Sequence, residues 1–105
     1  MKKFKKFILK HLPLFFVVNL ALNTKNSEFI QFLSEHKYWV IRYKIAENSY
    51  TTSEILKKLA ADTDATVRYI ATQNPNATEE VYLTRIAHIS LLSSHSGKLK
   101  HSLLK

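Results

Sequence analysis

One local phrase occurs twice in this chain and constrains its fold more than any other feature. KYWVIRYKIA over residues 37–46 and DTDATVRYIA over residues 62–71 each centre on an apolar residue followed by Arg and Tyr. Aligning Arg42 with Arg68 sets a period of 26. The same shift pairs Tyr43 with Tyr69, Asn48 with Asn74, Thr52 with Thr78, Glu54 with Glu80 and Ile55 with Val81. Chance does not sustain a register over so many positions. A partial copy lies upstream, where Phe15 to Asn23 aligns with Val40 to Asn48 and EFIQFL at 28–33 matches EILKKL at 54–59. The copy spacing wavers by a residue there, as it does when loops between repeated elements tolerate insertion.

Each copy reads as two short helices. One Gly and two Pro leave little material for β-turns or phosphate loops, and Leu, Ala, Lys, Glu and Ile supply helix formers throughout. Ser27, Thr52 and Thr78 precede acidic first turns and are the expected N-caps of the first helix in each copy. Ile55, Leu56 and Leu59 then form an apolar stripe. In the second helix Asp64 is the expected N-cap, and Val67, Ile70 and Ala71 continue the stripe. That helix stops near Asn74, because Pro75 disfavours helical geometry in the residue before it. Asn23, Asn48 and Asn74 are then turn residues that bond nearby backbone. A unit this small cannot bury its own stripe, so neighbouring units must stack. The expected fold is all-α, a short solenoid of about three two-helix repeats.

The run LAADTDATVRYIATQNPNATEEVY, residues 59–82, resembles the leucine-rich repeat variant and, more widely, HEAT-type helical repeats. The likeness is good over residues 38–87, weaker over 13–37 and lost after Ala87. It implies a right-handed solenoid that pairs an α-helix with a shorter, often 3-10-like one. The spacing from Asp62 to Arg68 is similar to the HEAT pattern in which an Asp and a later Arg make hydrogen-bonded ladders between units. His36 holds the equivalent place in the preceding copy, a departure from that pattern. Some relatives carry a cysteine-rich, cluster-binding segment; this chain has no cysteine, so that role does not carry over.

A net charge of +8 suggests nucleic acid until it is located. All eight acidic side chains lie within residues 13–97, which also hold eight basic ones, so this body is neutral. The excess sits in the ends, with Lys2, Lys3, Lys5, Lys6 and Lys10 in front and Lys98, Lys100 and Lys105 behind. Basic tails on a neutral body argue less for a nucleic-acid groove than a basic face would. The expected division is a basic amphipathic segment over 1–12, a repeat domain over 13–89 and a divergent cap or basic tail over 90–105.

Function is then sought on the helix surfaces. Recurrence favours a structural role for Arg42 and Arg68, bonding carboxylates or helix-end carbonyls. Tyr43 and Tyr69 either finish the core or line an interaction surface. Tyr38 and Trp39 have no counterpart in the next copy and are the best candidates for a specific protein contact. The five histidines have no close ligand spacing, and no HExxH, GxSxG or P-loop pattern occurs. No enzyme, metal or cofactor is expected. The absence of cysteine is compatible with a reducing compartment, and the cytoplasm is the expected location.

The N-terminal run MKKFKKFILKHLPLFFVVNLAL has the basic start of a signal peptide but is interrupted by Lys10, His11 and Asn19 and lacks a small-x-small cleavage site. Its uninterrupted apolar part, 12–18, is too short for a membrane span. Core helix is the preferred reading of that part. Before Pro13, Phe4, Phe7, Ile8 and Leu12 line one side of a helix and Lys2, Lys3, Lys6 and Lys10 the other. Such a helix either caps the repeats, the preferred reading, or contacts phosphates or an anionic membrane through its lysines. The pattern stops after Ala87, and an uncapped end predicts self-association.

Overall fold

Asp64 shows how the sequence writes a helix start here: its carboxylate accepts the N–H groups of Thr66 and Val67 at 2.9 and 3.0 Å. Thr52 does the same for Ile55 and Asn26 for Phe29. The cap of the first short helix is therefore Asn26, one residue before the expected Ser27, because Asn26 and Thr52 stand a full period apart and both have extended backbone. The computed structural model describes residues 3–90, all of whose regular elements are helices. They are α1 (Lys3–His11), α2 (Leu14–Asn23), α3 (Ser27–Leu33), α4 (Trp39–Glu47), α5 (Ser53–Leu59), α6 (Ala65–Gln73) and α7, described over residues 79–90.

The longer helices α2, α4 and α6 lie side by side with α4 in the middle; the short α3 packs on α2 and α4, and α5 on α4 and α6. Burial fixes their register. Val17, Ile41 and Val67 are buried at one level and Ala21, Ile45 and Ala71 at the next, each helix sending an i, i+4 pair into the same core. From α4 to α6 the offset is the expected 26. Between α2 and α4 it is 24, not the 25 that pairs Asn23 with Asn48, since any other offset would turn Val17 and Ala21 away from the core. The two missing residues fall in the connection after α2, which spans 24–26 where its counterpart spans 48–52. The short helices keep the period, with Ile30 and Leu33 matching Leu56 and Leu59 in the same core.

Two expectations change at the N-terminal end. The apolar run 12–18 is only partly core: Val17 is buried, whereas Leu14, Phe15 and Phe16 are exposed, Phe15 by 70%. Helix α1 turns Leu9 and Leu12 toward the body and leaves Phe4, Phe7 and Ile8 in solvent, so those three do not cap it. At the other end, the turn after α5 is held by Asp62, which accepts the Asp64 N–H at 2.9 Å. One period later stands His88, and α7 runs straight through it. Of the divergent segment assigned to 90–105, residues 91–105 lie outside the described residues, as does Lys2. No helix among the described residues is long and apolar enough to cross a membrane.

Candidate partner-binding face

The repeated polar residues mostly join one helix to the next. The Asn48 side-chain amide donates to the carbonyls of Ala21 and Thr24, both at 2.9 Å, while its oxygen accepts the Tyr50 N–H at 2.8 Å. Asn74 repeats this with the carbonyls of Ala46 and Asn48, both at 2.8 Å, and the Asn76 N–H. Each amide thus ties the end of its own helix to the end of the preceding one, and both asparagines are buried. Asn74 is extended, the conformation required before Pro75. Asn23 does not hold the equivalent place. It is exposed and donates within α2 to the Asn19 carbonyl, while Thr24 caps that helix and accepts the Asn26 N–H. Asn76 adds a join that the repeat pattern does not signal, donating to Ser49 and Thr51 carbonyls, because its counterpart is Tyr50.

Arg42 uses its whole fork. Nε and Nη2 donate to the two Asp62 carboxylate oxygens at 2.8 and 3.1 Å, and Nη1 donates to the His36 carbonyl at 2.6 Å. Arg68 makes the same six-residue backward contact to the Asp62 carbonyl at 2.7 Å, and a second to Thr63. His36 stands where Asp62 does and closes its turn likewise, its Nδ1 accepting the Tyr38 N–H at 3.1 Å. Burial, then the positive charges of Lys37 and Arg42, hold the imidazole pKa below the ordinary histidine value. The neutral ring is therefore the form that serves as acceptor.

With the register fixed, the outward residues of the three long helices fall into rows. Phe15, Trp39 and Ala65 hold one level, Phe16, Val40 and Thr66 the next, and Asn19, Tyr43 and Tyr69 a third. Trp39 and Tyr69 are each 49% exposed, Tyr38 is exposed beside them in sequence, and Tyr43 is half-buried. Trp39 meets Tyr43 edge to face with centroids 6.1 Å apart, and Phe15 meets Phe16 the same way at 5.9 Å. Each of these three tyrosines carries a cation over the ring: Lys37 on Tyr38, Lys44 on Tyr43 and Arg85 on Tyr69. The result is an aromatic face edged by Lys37 and Arg85, with Lys44 also paired to Glu47 at 3.4 Å, and with rigid rings available as anchors. Phe15, Phe16 and Arg85 were not evident from sequence. The two-residue deletion before α3 hid the match of Phe15 to Trp39.

Lys3, Lys6 and Lys10 on α1 are exposed, whereas Lys5 leans toward the body with its ammonium 5.7 Å from the Phe29 ring centre. Lys57 pairs with Glu80 and links α5 to α7; that bond raises its pKa. Among the described residues no group of three His, Cys, Asp or Glu side chains could hold a metal ion. Comparison with protein-family models, curated proteins and solved structures finds no match to this chain.

Proposed function

We propose that this protein is a non-enzymatic helical-repeat scaffold, a short right-handed solenoid of about three two-helix units that binds another protein. The recurrence of the Asn48 and Asn74 bonds one period apart supports the stacked-unit reading, as does the matched burial along α2, α4 and α6. The aromatic face is the observation that carries binding: Phe15, Trp39 and Tyr69 stand exposed on adjacent helices, outside a core already filled by Val17, Ile41 and Val67, and Tyr43 lies half-buried against that core. Their cationic edge suits a partner that offers apolar side chains with carboxylates around them. Copies of the chain also associate through α7, whose Tyr82, Leu83, Ile86 and Ile89 are exposed along one side. No catalytic residue, metal or cofactor is assigned.

The test is affinity capture by the full chain and by the Trp39→Ala/Tyr69→Ala double variant, with fluorescence anisotropy on a labelled duplex oligonucleotide alongside. A protein retained by the parent at about 0.5 M salt and lost with the variant supports the scaffold reading. Equal capture by the variant sinks the assigned face. Tight oligonucleotide binding that is indifferent to the variant and falls steeply with salt would replace the reading with nucleic-acid recognition.

A further inference from the structure

We propose that α1, with the start of α2, docks the protein on an anionic lipid bilayer. This reading rests on α1 and shares only Phe15 with the face proposed for a protein partner, so it stands whether or not Trp39, Tyr43 and Tyr69 bind a protein. At 100° per residue α1 has three faces. Lys5, Leu9 and Leu12 form the first, which meets the body: Leu9 is buried, Leu12 packs on the core and Lys5 reaches Phe29. Lys3, Lys6 and Lys10 form the second and are exposed. Phe4, Phe7 and Ile8 form the third, with His11, whose ring stacks on Phe7. Phe4 is 72% exposed and Phe7 58%.

A soluble surface gains nothing from holding those phenylalanines in water, and α1 does not use them to attach itself. Leu9 is its one buried side chain among the described residues. A cleft of about 690 Å³ separates the α1–α2 junction from the turn at His36 and Tyr38, and a smaller one of about 220 Å³ lies between Lys6 and α3. The helix therefore lies against the body along a narrow seam and presents two adjoining outer faces, one aromatic and one cationic. A bilayer interface matches both, since rings enter the boundary between headgroups and acyl chains while lysine stems reach up to lipid phosphates. Phe15 and Phe16, just beyond Pro13, are exposed as well.

Charge complementarity selects the occupant. Residues 1–12 contain lysines at 2, 3, 5, 6 and 10 and no carboxylate, and the carboxylates that approach them, Glu28 and Glu35, line the cleft behind Lys6. Anionic headgroups attract such a segment, whereas a neutral lipid surface offers the rings alone.

The experiment is flotation of the full chain with vesicles of about 30% phosphatidylserine in phosphatidylcholine against vesicles of phosphatidylcholine alone, at about 0.1 and about 0.5 M salt. The anionic vesicles are expected to bind and the neutral ones not to, with most of the binding lost at the higher salt. Phe4→Ser/Phe7→Ser leaves the charge unchanged and is expected to lower partitioning by more than about tenfold. Lys6→Gln and Lys10→Gln each lower it about fivefold, and Lys5→Gln, which faces the body, much less. Circular dichroism melts of the same variants show whether each remains folded, and only folded variants enter the comparison. No flotation, equal flotation on neutral vesicles, or a folded phenylalanine variant that binds like the parent would overturn the proposal. The last outcome, together with equal binding of a duplex oligonucleotide, would identify a general polyanion site in its place.

Discussion

Replacing Asn74 by Ala tests the joint between the ends of α6 and α4. The side chain makes three hydrogen bonds, two to carbonyls of the preceding helix end at 2.8 Å and one from the Asn76 N–H at 2.8 Å, in a buried setting. A net value of about 1 kcal/mol per bond gives about 3 kcal/mol, and the Ala46 and Asn48 carbonyls left without that donor keep the figure from falling lower. A domain of this size has a total stability of about 5–15 kcal/mol. The loss corresponds to a fall in melting temperature of roughly 12–24 °C. Asn48→Ala removes the same set of bonds one period earlier and is expected to cost about as much. Asn23→Ala removes one exposed bond within α2 and is expected to cost less than about 0.5 kcal/mol. Urea unfolding followed by far-ultraviolet circular dichroism measures all three. Equal small losses at Asn23, Asn48 and Asn74 would refute the idea that these amides join neighbouring helix ends, as would a loss at Asn23 matching the other two.

Arg42→Ala strips a carboxylate that is only 9% accessible of its bidentate partner and is expected to destabilise by about 3 kcal/mol, with Arg42→Lys recovering only part of it. Arg68→Ala, which gives up only bonds to backbone carbonyls among the described residues, is expected to cost less in the same melt. Lowering the pH protonates His36 and removes its Nδ1 acceptor. Because its folded pKa lies below the unfolded value of 6.5, its contribution is complete above about pH 6.5 and is lost as pH falls through the lower folded value. His36→Gln should flatten that part of a stability profile taken between about pH 7 and pH 5, and an unchanged profile counts against the role. Ile86→Glu is expected to shift sedimentation toward monomer at tens of micromolar; a parent chain that is already strictly monomeric there contradicts association through α7.

Helix formation, the capping roles of Thr52 and Asp64 and the 26-residue period are all legible in the residues, because caps and apolar spacing are local properties of the chain. So is the neutrality of the body between basic ends, which is a count of charges along the sequence. The register between α2 and α4 is not local. Asn23 and Thr24 are adjacent polar residues at a helix end, and only the common burial of Val17 with Ile41 and of Ala21 with Ile45 selects Thr24 as the matching cap. The same selection turns Phe15 and Phe16 outward at the levels of Trp39 and Val40, although the run that contains them is continuously apolar. Whether an apolar residue belongs to the core or to the surface depends on which neighbouring helix occupies the space beside it. That is why the sequence alone determined the elements and their period, and tertiary packing decided which aromatic side chains stay exposed.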